Sequence, residues 1–440
     1  MSLTLTDAEK AMLDGKAGKA RQKAMELLVR YAEALGAERF VDTTNVAGVP
    51  GSANPFLQQY YLSGEESGQS EHDVIFSRFD LDSDELVDVP QAAVRTCCLQ
   101  GGADPEHWEA LGTPPRVFRL HQEREAFAAN HGVTILKTCT PYLAGNVPVK
   151  GEHCAWMESS AVVYGNSVLG ARTNTEGRES TSAAMLTGKI PDWGLHQAAN
   201  RCGTHQVIVE LSVESVMDWG MLGYFVGDVV QERIPVIVGA RGGRLGPVDL
   251  IRHKHFGAAA ASSGGVEMYH MVGVTPEADT LAAAFGTTRP FETFSYGLAE
   301  RRRIYEQLNA TGRDPKVDYV MLGCPHYSLD QIEETSRLLD GRRISADCRL
   351  WIFTSRGVRA EADAYGYSKV IADAGGLLMT DTCSAFAQAV PPGTRVVALD
   401  SAKQAHYLPA IVPVEVWFGS TRDCIDAAVT GRWRGRGPEM

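Results

Sequence analysis

The chain has 440 residues, 44% hydrophobic and 22% charged, with a net charge of −12. That length exceeds what one hydrophobic core usually carries and predicts two or three lobes, and the acidic balance argues against the basic stripes of a nucleic-acid footprint. The N-terminus, MSLTLTDAEKAMLDG, has no apolar signal stretch. No run reaches the roughly 18 apolar residues of a membrane span, so the expected compartment is the cytoplasm, with no membrane partner.

In chain order, residues 6–36 read as helical, with Thr6 or Asp7 as cap and apolar residues recurring from Met12 to Ala32. Asn45–Pro55, which includes Ser52, is a small-residue loop that suits close approach by a ligand or serves as a plain connector. Residues 60–85 are polar and acidic and read as an exposed insertion or lid. A helix is predicted at 115–131 and a short strand near 133–137. Residues 138–180 are rich in Gly, Ser, Thr and Asn, and a loop that long in a compact domain is expected to carry a site.

From there strand-like runs (QVIVELSV, IPVIVGA, EMYHMVGV, DYVMLG, RLWIFTS, GLLMT, TRVVALD) alternate with helical stretches at 296–311, 328–340, 357–374 and 401–407. The rhythm predicts α/β units with mostly parallel sheets. The expected lobes are 1–130, 131–290 and 291–440.

Four strands in the second half end in a small turn bearing polar groups: Cys324 and His326, Ser355 and Arg356, Asp381 with Cys383 and Ser384, and Ser401 with Lys403. Parallel sheets bind ligands beyond the carboxyl ends of their strands, so these groups are expected at one rim. Of the nine cysteines, none forms a CxxC pair, and their spacing is not that of a disulfide framework. Cys139, after Thr138, shares the strand-end position of Cys324 and Cys383. Three soft thiolates far apart in sequence suit an iron–sulfur cluster with an incomplete protein shell. Zinc with His326 as fourth ligand, or a Cys324–His326 nucleophile pair, are the alternatives.

The segment Ser159–Gly177 adds Ser159, Ser160, Asn166, Arg172, Thr173 and Asn174. Arg172 is the expected anchor for a carboxylate or phosphate, against a structural ion pair. His196 is a candidate acid, base or orienting group, and His253-Lys254-His255 reads as a solvated stretch.

The runs TCTPYLAGNVPVKGEHCAWMESSAVVYGNSVLGARTNTEG, GVTPEA, LGCPHYSLDQI, TDTCSAFA and DSAKQAHYLPA resemble the large catalytic part of the aconitase X family, from about residue 10 to about 433. The resemblance implies an aconitase-like fold of several α/β lobes around a cluster cleft. It implies a [2Fe–2S] or [4Fe–4S] cluster on Cys139, Cys324 and Cys383, and a dehydratase acting on a small hydroxy acid. The favoured substrate is cis-3-hydroxy-L-proline, giving Δ1-pyrroline-2-carboxylate; the alternatives are mevalonate 5-phosphate and a non-catalytic or sensory iron–sulfur protein. It further implies a separate small swivel-domain subunit that supplies a catalytic serine. In this setting Lys403, His326 and His196 are the expected acid–base or electrostatic groups. Arg172, Thr173, Asn174, Ser159, Ser160, Asn166, Thr138, Ser52, Ser355 and Ser384 are the expected substrate contacts.

Overall fold

A computed structural model describes residues 3–48, 89–240, 250–385 and 389–438. Ser52 and the 60–85 insertion lie outside them. No helix among the described residues is long and apolar enough to cross a membrane.

The N-terminal helical stretch is two helices, α1 (Asp7–Leu13) and α2 (Lys19–Leu35). Thr6 and Glu9 form a reciprocal capping box on α1. β1 (Phe40–Asp42) pairs antiparallel with β6 (Lys189–Pro191). β2 (Asn45–Gly48), β3 (Arg95–Cys98), β4 (Val133–Thr134) and β5 (Cys154–Trp156) form a parallel sheet of order β4-β3-β2-β5. Helix α3 (Pro115–Asn130) leads into β4. After β5 come α4 (Ser159–Tyr164), its π-helical continuation Gly165–Leu169, and α5 (Arg178–Thr187). Because β5 belongs to this sheet, the first lobe runs past residue 130.

The second lobe is a parallel sheet of order β10-β7-β8-β9, from β7 (His205–Val209), β8 (Pro235–Val238), β9 (His270–Met271) and β10 (Glu292–Tyr296). Helices α6 (Val216–Val230) and α7 (Leu250–Gly264) cross at backbone contact. A Cβ on Gly223 would stand 2.2 Å from the Phe256 carbonyl oxygen, and one on Gly264 1.9 Å from that of Gly227.

The third lobe is parallel throughout, in the order β13-β12-β11-β14-β15. Its strands are β11 (Tyr319–Tyr327), β12 (Arg349–Thr354), β13 (Leu377–Met379), β14 (Val396–Leu399) and β15 (Glu415–Phe418). All nine residues of β11 are buried, as a central strand covered on both faces requires. The predicted helix at 357–374 is two, α8 (Arg356–Ala364) and α9 (Tyr367–Ala374), broken at Gly366 with φ +79°. Helix α10 (Ala402–Ile411) follows β14. The chain lays down β11, β12 and β13 in one direction, then returns to β14 on the other side of β11, so the strand order reverses between β11 and β14. That switch point opens a crevice at the carboxyl edge, where Cys324 and Lys403 lie. One apolar cluster runs through all three lobes, from Trp156 through Phe256 to Phe353 and Leu399.

Gly223→Ala, which in an open helix would be favourable, is expected to cost about 1–3 kcal/mol by forcing α6 off α7. Thermal unfolding checks it; a variant that melts at or above the parent contradicts the close crossing.

Candidate functional site: three thiols around a buried ion pair

The carboxyl edges of the first and third sheets face each other. Cys139 follows β4 of the first sheet, Cys324 lies near the end of β11, and Cys383 follows β13. The three thiols are within electrostatic reach of one another. Cys139 and Cys324 are buried and Cys383 is half-buried.

His326 ties the three turns together. Its backbone N–H donates to Cys139 Sγ at 3.2 Å. Its Nε2 lies 2.9 Å from the Thr382 carbonyl oxygen, beside Cys383, and its Nδ1 lies 3.0 Å from Thr138 Oγ1, beside Cys139. A carbonyl can only accept, so Nε2 carries the proton and Nδ1 accepts from the Thr138 hydroxyl. Burial holds this imidazole neutral, down to about 4. Both ring nitrogens are engaged, so the acid–base role expected for His326 gives way to a positioning one.

Glu158 and Lys403 meet among the thiols. Glu158 stands at the start of α4, and its carboxylate accepts from Lys403 Nζ at 2.7 Å, Gln100 Nε2 at 3.0 Å and Ser160 Oγ at 3.0 Å. Burial raises this carboxyl, but the Lys403 ammonium and the hydrogen bonds from Gln100 and Ser160 together outweigh it and leave Glu158 at about 2. Burial likewise disfavours the Lys403 charge, and Glu158 with the nearby Cys324 and Cys139 more than restores it. Around Cys324, Gln404 Oε1 lies 3.5 Å from Sγ, and the Ser384 and Ser401 hydroxyls lie within hydrogen-bond reach. Gln404 Nε2 donates to the Ser384 carbonyl at 2.8 Å.

Lys254 reaches the same centre from α7, donating to the His326 carbonyl at 2.8 Å and to Gln331. Burial lowers it to about 8. The reading of residues 253–255 as solvated is therefore corrected: all three are buried, on a helix packed on both faces.

Burial pushes the Cys139 thiol well above its ordinary value, raises Cys324, and takes Cys383 to about 12. Bare thiols so placed stay protonated at neutral pH and make poor nucleophiles, which removes the Cys324–His326 nucleophile reading. Thiolates here need a metal group as counter-charge. Among the described residues no three Cys, His, Asp or Glu side chains close on one ion. Three soft thiolates drawn from separate turns are a donor set that an iron–sulfur group accepts.

Other expected substrate contacts lie elsewhere. Residues 172–175 run parallel to β5, with Arg172 beside His153 at its amino end, opposite Glu158. There Arg172 Nη1 donates to the His196 carbonyl at 2.9 Å. His196 Nδ1 lies 2.9 Å from His153 Nδ1, and burial holds His196 down to about 3. Neither residue reaches the thiols. Asn166 bridges Thr173 and Glu267, Thr173 Oγ1 accepts from the Trp156 N–H, and Asn174 fastens Trp193 and Leu195. Their side chains are spent on folding this segment. Ser355 caps α8. Ser160, Thr138 and Ser384 stay at the site, and Ser159 follows Glu158 at the start of α4.

Glu158, Gln100, Lys254 and Gln404 went unremarked as site residues in the sequence. Glu158 had a signal: a carboxylate directly before Ser159 and Ser160, at a strand-to-helix turn. Lys254 had none, because its burial depends on α7 packing against β11.

Three α/β lobes with parallel main sheets, thiols at facing carboxyl edges and an ion pair between them define a buried crevice where the lobes meet. The chain belongs to the aconitase X family. Family models match residues 2–199 (aconitase X first domain), 203–306 (second domain) and 317–430 (third domain). It is 37% identical over 417 residues to the phosphomevalonate dehydratase large subunit of Methanothermobacter thermautotrophicus, covering 94% of this chain and 96% of that one. It is 33% identical over 429 residues to the cis-3-hydroxy-L-proline dehydratase of Pseudomonas aeruginosa, covering 96% of this chain and 70% of that one. The fold is similar to the crystal structure of Thermococcus kodakaraensis aconitase X in its holo-form, with a TM-score of 0.77 and 29% identity over 97% of this chain and 100% of that one. The chain is a dehydratase, a hydro-lyase of this family.

Because Glu158 is held at about 2, below the ordinary 4.5, its stabilising contribution is complete above pH 4.5 and is lost as pH falls through 2. Lys403→Met leaves a buried carboxylate without its cation and is expected to cost about 3–5 kcal/mol. Adding Glu158→Gln should recover part of that loss and flatten the acid dependence below pH 4.5. Urea unfolding across pH checks both; a double variant no more stable than Lys403→Met contradicts the pairing.

Proposed function

We propose that Cys139, Cys324 and Cys383 hold an iron–sulfur cluster, and that the chain eliminates water from a small hydroxy acid. The observation that carries this is the meeting of three thiols from two sheets around the Glu158–Lys403 pair. When bound, the cluster supplies a Lewis-acidic iron for the departing hydroxyl. His326 keeps the three cysteine turns in register through Thr138, Cys139 and Thr382. Lys403, ammonium at neutral pH, attracts the substrate carboxylate. Glu158, carboxylate at neutral pH, orients Lys403 and faces positive charge on the substrate. Gln100, Ser160 and Ser384 complete the polar lining.

The proton alpha to the carboxylate needs a base. Lys403 and His326 are unsuited to it, one charged and one with both ring nitrogens engaged. A small swivel-domain subunit supplying a serine answers that need, and the relatives named "large subunit" support such a partner.

The favoured substrate is cis-3-hydroxy-L-proline, giving Δ1-pyrroline-2-carboxylate. Its carboxylate and ring ammonium are complementary to Lys403 and Glu158, one charge each. Mevalonate 5-phosphate is the second reading, supported by the 37% and 35% identities to phosphomevalonate dehydratase large subunits.

The test is anaerobic reconstitution of the chain with its small subunit, followed by turnover of both substrates and assay of iron and acid-labile sulfide. Iron, sulfide and turnover of hydroxyproline are expected. Cys139→Ser, Cys324→Ser and Cys383→Ser should each lower kcat at least about a thousandfold. Turnover of phosphomevalonate alone moves the assignment to the second reading. A colourless protein with stoichiometric zinc sinks the cluster.

A further inference from the structure

Outside glycine, positive φ among the described residues occurs at Lys137 (49°), Gln231 (57°) and Asp381 (64°). Lys137 stands two residues before Cys139, and Asp381 two residues before Cys383. A side chain with a Cβ persists in this left-handed region only where its surroundings over-determine it. Here the surroundings are one closed ring. Lys137 Nζ donates to the Gly101 carbonyl at 3.0 Å, and the Gly101 N–H donates to the Asp381 carbonyl at 2.9 Å. The Asp381 carboxylate accepts from Arg356 Nε at 2.7 Å and from Nη2. Arg356 Nη1 and Nη2 also donate to Glu125 Oε1 and Oε2, at 2.7 and 2.8 Å. Glu125 lies 3.9 Å from Lys137 Nζ, which closes the ring.

The ring joins α3 and two turns of the first lobe to α8 and the Cys383 turn of the third. It lines a cleft of about 590 Å³ between α3 and α8. None of its charged side chains is a thiol, and none belongs to the Glu158–Lys403 pair. One guanidinium makes paired N–H bonds to each of two carboxylates, a geometry that the single ammonium of a lysine cannot reproduce.

We propose that Arg356 is a positioning residue for the metal group. By clamping Glu125 to Asp381, it fixes the two left-handed turns that carry Cys139 and Cys383, and so sets how tightly the group is retained. This rests on the reading that those thiols hold an iron–sulfur cluster. An arginine that merely tethers two lobes would affect melting without affecting metal retention.

The experiment uses the full chain, loaded with iron and sulfide without oxygen and held well below its melting temperature. It measures the rate at which a ferrous-iron chelator strips the metal, with iron and sulfide content beforehand. Arg356→Gln and Arg356→Lys should both release iron about tenfold faster than the parent, or more, as loss of a residue that orients metal ligands does. Asp381→Asn keeps a side chain that tolerates the left-handed turn but loses the charge, and should fall between. Arg302→Gln, which removes an exposed pair with Glu306, should release iron at the parent rate. A folded Arg356→Gln that releases iron at the parent rate overturns the clamp. Should Arg356→Gln fail to fold, Glu125→Gln, which leaves the Arg356–Asp381 pair in place, carries the test, and release at the parent rate again overturns it. A parent chain that takes up no iron and sulfide overturns the cluster reading itself, whereas equal release by loaded parent and variants overturns the clamp alone.

Discussion

One imidazole holds three turns together. His326 reaches the cysteine turns of two sheets through its backbone N–H and both ring nitrogens, and is itself two residues from the third cysteine. In the neutral ring Nε2 donates to the Thr382 carbonyl and Nδ1 accepts from Thr138; a second ring proton would reverse the Thr138 contact. Burial keeps it neutral. Lys254, pressed against the His326 carbonyl from the second lobe, adds a nearby positive charge that works the same way. The register of the thiols therefore depends on contacts from all three lobes.

The electrostatics of the crevice follow from that packing. Charges in such a place are costly unless they are paired. Glu158 has Lys403, and Arg356 has Glu125 and Asp381. The thiols have no fixed cation matched to each of them, and burial, helped by the Glu158 charge, keeps them protonated. The crevice thus holds the Glu158–Lys403 pair beside protonated thiols.

Much of the fold was legible in the sequence. The strands of the third lobe are short apolar runs ending in polar turns, and the parallel sheet puts those turns on one edge as the pattern implied. From the long 138–180 segment, Thr138, Cys139, Glu158 and Ser160 line the candidate crevice. What periodicity missed was the burial of α6 and α7. Helices wrapped on all sides show no polar face, and the HKH triplet at 253–255 looks hydrophilic until Tyr269, His326 and Gln331 are placed beside it. The site was half legible for the same reason. Arg172, Thr173, Asn174 and Asn166 are polar and clustered in sequence, yet their hydrogen bonds are consumed in holding an irregular segment against β5.

By itself the sequence determined which residue types stand at the ends of parallel strands, because alternation of apolar runs with small polar turns is a local property. It also carried the family, through long contiguous motifs. Only the tertiary structure decided which of those polar residues share a crevice. Direction along β5 put Arg172 at one end and Glu158 at the other, and the facing of two sheets brought Cys139 to Cys324 and Cys383. Long-range geometry of this kind is set by how whole lobes pack, and no single stretch of the chain records it.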